Sequence, residues 1–344
     1  MANINRIFTI SGWRAQMVEH LRPALSFDAS SMEDYQSWKR GFEKEFLKLL
    51  GLLPEPVTLE SEVIESVVFP TYIREKIVFN SERFMSVPAW VCSPRETAAS
   101  GRHPAVICCH GHGNGKDALV GILGNNKSGV DYQKRLAIKL AENGFVAIAP
   151  DWRCFGERRD PPEILSLQTD MCDRVHIAVE SFGYHLLSLN IWDGMKTIDY
   201  LESRKDVDPT RIGCVGCSFG GTMSMFLSAA DSRISAACVS GYLMATGDSP
   251  ISSLCGSQTL PGLLTWGDRA EVAGLICPRP LLVQIGEYDS TFPARHALSE
   301  FRRLSRIYQA ADAEFKLGLD LFEGCHEVST TPIIEWFNRW LIKL

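Results

Sequence analysis

From residue 104 onward, short apolar runs alternate with helical periods, and that alternation predicts a parallel sheet with crossover helices. The runs at 105–109, 145–149, 212–215, 234–239 and 280–285 read as buried strands. Helical spacing appears at Tyr132, Leu136 and Leu140, with a glycine stop at Gly144. It recurs at Leu187, Ile191, Met195, Ile198 and Leu201, then from Thr222 to Ala230, and at Leu298, Phe301, Leu304 and Tyr308. Phe315, Leu317, Leu319 and Leu321 alternate as a last strand, and Pro332 opens a closing helix over 333–341. Upstream, Tyr35, Trp38, Phe42, Phe46 and Leu49 step by three and four behind Ser31, a helix with one inward face and an N-cap. Stretches near 63–69, 71–79 and 85–92 read as antiparallel leading strands, and Pro88 assigns the last of them to an edge.

These elements predict an α/β fold with a mostly parallel central sheet flanked by helices. The expected organisation is an N-terminal helical extension, 1–60, packed on a domain spanning 61–344. Two connections, 152–184 and 242–275, are each more than thirty residues long. Both leave strand carboxyl ends, where ligands bind in open parallel sheets, so they are expected to form lids or binding walls.

Composition narrows the partners. Net charge is −6 without a dense Lys/Arg block, which argues against nucleic acid. No stretch has the roughly 18 apolar residues of a membrane span, and residues 1–20 lack the uninterrupted apolar core of an export signal. Eleven cysteines at irregular spacing fit reduced thiols in a cytoplasm better than a disulfide framework. Oligomeric state is not legible.

Candidate chemistry centres on Gly216-Cys217-Ser218-Phe219-Gly220-Gly221, between a strand and a helix. A serine at such a turn projects its hydroxyl from the sheet edge, and small neighbours let the turn close. Serine needs a base in reach and an acid that orients the base. Asp289 follows the 280–285 strand and His326 follows the last one, so Ser218, Asp289 and His326 fall in an order that puts all three on one sheet edge. Glu287 is a rival acid and His296 a weaker rival base. The N–H of Phe219 and an N–H from His110-Gly111-His112-Gly113-Asn114-Gly115 would hold an oxyanion, His112 being preferred over Gly113. Trp152, Arg153, Tyr242 and Trp266, in or beside the long connections, are candidates for substrate contact. Cys214-x-x-Cys217 and His110-x-His112 resemble metal spacings without a third ligand cluster in sequence, and no metal or other cofactor is expected.

From about residue 60 to the end the chain resembles the α/β-hydrolase superfamily, in the branch of dienelactone hydrolase-like and acetyl xylan esterase-like proteins. The resemblance rests on His110-Gly111-His112-Gly113, on residues 151–158 and 206–212, on the Ser218 turn, Pro278-Arg279-Pro280 and His326. Ser218 stands where dienelactone hydrolases use a cysteine. The resemblance implies a serine hydrolase of small carboxylic esters, acetyl esters of carbohydrates among them, acting through an acyl-enzyme. A peptidase or amidase on the same fold, and less so a non-catalytic binding protein, are the competing readings.

Overall fold

The computed structural model describes residues 6–98, 101–123, 127–128, 131–161, 172–250, 253 and 255–342. Parts of both long connections therefore lie outside the described residues.

Nine strands form one sheet: β1 (Glu62–Val68), β2 (Tyr72–Glu82), β3 (Met85–Pro94), β4 (His103–Cys109), β5 (Val146–Pro150), β6 (Val207–Cys217), β7 (Ile234–Ser240), β8 (Leu281–Gly286) and β9 (Leu317–Phe322). Their spatial order is β1-β2-β3-β5-β4-β6-β7-β8-β9. The first three are antiparallel and β3 meets β5 antiparallel. From β5 to β9 every neighbouring pair is parallel. The chain steps from β4 to β5 on one side and then places β6 on the other side of β4. This reversal opens a crevice beyond the carboxyl ends of β4 and β6, the position where open α/β sheets bind ligands.

The strands β4, β5 and β8 are buried along their whole length, as their largely apolar runs require, and the one polar residue within β8, Gln284, donates to Asp320 and to the Ser329 carbonyl. Alternate side chains feed two cores. Ile107, Cys109, Cys214 and Val239 join one with helices α2 (Met32–Leu49), α5 (Leu186–Ser203), α6 (Phe219–Ala230) and α8 (Ala294–Ala310). Val106, Cys108, Cys217 and Cys238 join the other with α3 (Leu136–Glu142) and α9 (Thr330–Phe337). Cys214 and Cys217 thus point to opposite faces and cannot share an ion.

Ser31 caps α2, its Oγ accepting the Asp34 N–H at 3.2 Å. Tyr35, Trp38, Phe42 and Phe46 are buried in the same core as the sheet, and Tyr35 donates to the Cys277 carbonyl at 2.7 Å. By contrast α1 (Ile10–His20) buries no residue and is held by Arg14 donating to the Thr246 carbonyl at 2.6 Å. The second long connection contains α7 (Arg269–Gly274), and the first ends in α4 (Cys172–Glu180). Among the described residues no helix is long and apolar enough to cross a membrane.

Three local expectations change. Pro88 lies in β3, an interior strand, and the edge is β1. The Pro88 carbonyl accepts from Asp151 N–H on the β5 side, so its missing donor faces the point where β5 ends and costs no ladder bond. Tyr132 precedes α3 instead of starting it, because Lys134 and Arg135 take left-handed conformations, φ 52 and 54. Phe315 lies in a short helical turn, Glu314–Lys316, and is exposed, so the last strand starts only at Leu317.

Candidate active site

β6 ends at Cys217 and α6 begins at Phe219, leaving Ser218 alone between them at φ 62, ψ −124. A non-glycine residue there is strained by about 1–3 kcal/mol and persists only where its surroundings hold it. Here the Ser218 N–H donates to the Ser240 carbonyl at 3.1 Å, and the Ser218 carbonyl accepts from Thr222 at 3.0 Å. The turn also needs a bare backbone at Gly220, where a Cβ would overlap the Cys109 carbonyl on β4. Gly220→Ala is therefore expected to destabilise by about 2–3 kcal/mol through overpacking, despite the better helix propensity of alanine. A fall in the urea midpoint at unchanged m-value checks this.

Asp289 lies just beyond β8 and is buried. Its Oδ1 accepts the N–H groups of Thr291 and Phe292 at 2.8 and 2.9 Å, and its Oδ2 lies 2.7 Å from His326 Nδ1. Burial alone would raise this carboxyl, but the His326 hydrogen bond and the two backbone donors outweigh it and hold it below the usual aspartate value. An ionised carboxylate only accepts, so His326 Nδ1 carries the proton and Nε2 is left with its lone pair. The His326 ring packs nearly parallel to both Phe292 and Tyr132, with centroids 5.6 and 5.9 Å away. Gly241 joins the parts: it follows Ser240, the acceptor of the Ser218 N–H, and a Cβ on it would sit 3.2 Å from His326 Cε1 and 3.4 Å from Asp289 Oδ2. The rivals fall elsewhere. Glu287 is exposed, and His296 on α8 pairs with Asp248 at 3.0 Å.

The loop after β4 runs beside the Ser218 turn. Phe219 is the first residue of α6, a position whose N–H has no partner within the helix. His112 and Phe219 rings lie 5.4 Å apart, and Tyr132 donates to the His112 carbonyl at 2.9 Å while Gln133 Oε1 accepts the Gly111 N–H at 3.3 Å. Tyr132 thus touches both the His112 loop and the His326 ring, a role that its helical spacing in sequence concealed.

His110 is fully buried. Its Nε2 accepts the Trp152 N–H at 3.1 Å and its Nδ1 faces the Gly111 carbonyl at 2.8 Å, the pattern of a neutral ring. Burial lowers its pKa to about 4, against a smaller raising effect from Asp151. Unfolded histidine titrates near 6.5, so between pH 6.5 and 4 the unfolded state binds the extra proton and stability falls with falling pH. At pH 4 and below this amounts to about 3 kcal/mol. Comparing urea midpoints of wild type and His110→Asn across that range should show a steeper acid loss for wild type.

Of the proposed substrate contacts, Trp152 is fully buried in the core. Arg153 is turned into an ion-pair network, with Nε and Nη2 on the two Asp193 oxygens at 2.9 and 3.0 Å and Nη2 on Glu82 at 2.6 Å. Burial would lower its pKa, but Asp193 and Glu82 more than compensate and raise it. Neither residue is brought to Ser218 as a contact surface. Trp266 is half-buried against the core, its carbonyl accepting from Leu25 in the N-terminal segment. Tyr242 follows Gly241 and lines a cavity of about 250 Å³ with Phe226, Cys255, Leu260, Leu263 and Arg269. A larger groove, about 870 Å³, lies at the opposite strand ends between Pro70, His103 and Arg211, away from Ser218.

A mostly parallel sheet reversing at β4, with a serine turn after β6, an acid after β8 and a histidine after β9, defines an α/β-hydrolase. The chain belongs to the Abhydrolase family, whose model matches residues 3–258. It is similar to the Bacillus subtilis (strain 168) protein named "Putative hydrolase YtaP", 29% identical over 287 residues, covering 78% of this chain and 88% of that one. In structure it resembles a "putative acetyl xylan esterase" from Bacteroides fragilis NCTC 9343, with TM-score 0.77 at 17% identity over 92% of this chain and 83% of the other. It also resembles a glucuronoyl esterase from Solibacter usitatus, with TM-score 0.64 at 14% identity over 88% and 93% of the two chains.

Proposed function

We propose that the protein is a cytoplasmic serine hydrolase of small carboxylic esters. The observation that carries this reading is the 2.7 Å His326–Asp289 pair beside Gly241, adjoining the residue that accepts the Ser218 N–H. In this reading His326 Nε2 takes the Ser218 proton as Oγ attacks the ester carbonyl. The N–H groups of Phe219 and His112 stabilise the oxyanion. The imidazolium then protonates the leaving alcohol, and water attacks the acyl-enzyme by the same route in reverse. Asp289 keeps the proton on Nδ1. No cofactor enters this chemistry. The names of the fold neighbours make acetylated and uronate-esterified sugars a rational first panel.

The test is turnover of p-nitrophenyl acetate and butyrate, then of acetylated sugars, beside aminoacyl p-nitroanilides. Ester cleavage is expected to dominate. Robust anilide cleavage without ester turnover would make the protein an amidase.

A further inference from the structure

Three chain segments far apart in sequence meet at the wall of the site. His112 comes from the loop after β4, Cys172 opens α4 at the end of the first long connection, and Cys255 belongs to the second. His112 Nε2 lies 3.4 Å from Cys255 Sγ and 3.6 Å from Cys172 Sγ, and the three donor atoms all fall within 4.8 Å of one another.

These separations are compatible with one shared ion. With Zn–S near 2.3 Å and Zn–N near 2.0–2.1 Å, a tetrahedral centre holds its nitrogen and sulfur ligands about 3.6 Å apart. Both nitrogen–sulfur distances match that edge. The donor set also suits zinc, since thiolate and imidazole are its preferred ligands and two cysteines with one histidine leave a fourth position for solvent.

The surroundings hold the donors in place. Asp173, next to Cys172, accepts the N–H of Gly256, next to Cys255, at 2.7 Å. Gly256 allows that approach, because a Cβ there would lie 2.5 Å from His176 Cβ on α4. Ser257 Oγ is 3.1 Å from Cys255 Sγ, placed to donate to a thiolate. Cys154 Sγ is 3.9 Å from Cys172 Sγ but outside the sphere that the three donors share.

We propose that His112, Cys172 and Cys255 form a binding site for one zinc ion, which ties both long connections to the His110–Gly115 loop. Binding releases the two thiol protons to solvent and changes no oxidation state. The donor set does not include Ser218, Asp289 or His326, and it uses the His112 side chain, whereas the ester-hydrolase reading uses the His112 backbone N–H.

The experiment uses the reduced full-length protein, stripped of metal with a chelator. Zinc titrated against a chromophoric competitor should bind at one equivalent and raise the thermal midpoint, because it binds the folded state preferentially. Cys172→Ser and Cys255→Ser should each weaken binding about 100-fold or more, whereas Cys325→Ser, which removes an exposed thiol, should leave it unchanged. Cobalt(II) added to the wild type should give the intense visible bands of a tetrahedral ion with thiolate-to-cobalt charge transfer, a readout that holds if the variants fold poorly. A weak octahedral cobalt spectrum overturns the proposal. So does zinc uptake undiminished in folded Cys172→Ser and Cys255→Ser, or no uptake by the reduced protein.

Discussion

Ser218→Ala is expected to lower ester turnover by on the order of 10⁴- to 10⁶-fold with little change in KM, because the alanine protein keeps its binding surfaces and loses the attacking atom. Stability should hold or rise slightly. The Ser218 backbone makes the bonds that fix the turn, its N–H to Ser240 and its carbonyl to Thr222, and alanine keeps both groups. The measurement is kcat and KM on p-nitrophenyl acetate with the urea midpoint alongside, followed by labelling with a fluorophosphonate probe. Wild type should label and the variant should not. Equal labelling of both would remove Ser218 as nucleophile.

The second large effect belongs to Asp289→Asn, for which kcat should fall about 10⁴-fold while the fold survives. The two backbone donors, Thr291 and Phe292, both bond Oδ1, so asparagine would direct its own carbonyl oxygen toward them and turn its amide nitrogen to His326. A nitrogen donor facing Nδ1 makes that atom the acceptor and moves the ring proton to Nε2. The base is then occupied at the position where it must accept from Ser218. Because the loss is one of tautomer, activity should recover partly at high pH, where hydroxide can replace the base, and circular dichroism should match wild type. A loss under tenfold at neutral pH would point to Glu287 or another acid.

What could be read ahead of the structure depended on whether the signal was local. β4 and β8 are buried on both faces, and such strands have largely apolar runs. The Ser218 turn is read from its glycines, and one of them, Gly220, abuts the β4 backbone. Asp289 and His326 follow strands whose boundaries periodicity marks well. Tyr132 was hidden because its spacing to Leu136 mimics a helix that Lys134 and Arg135 interrupt. Trp152 and Arg153 looked like pocket residues because they open a long connection, yet a core and a carboxylate pair claim them. The meeting of His112 with Cys172 and Cys255 leaves no trace in spacing, since it depends on how two irregular connections cross over a third segment.

The aromatic walls around His326 set a rule for traffic. Phe292 and Tyr132 both pack nearly parallel to the ring and restrict its turning, so in the proposed reaction Nε2 would serve both proton transfers from one position. In that reading the departing alcohol would have to clear the position before water could enter it. Any other alcohol small enough to follow would compete with water for the acyl group, so the ratio of transfer to hydrolysis would report how the two nucleophiles share that one position.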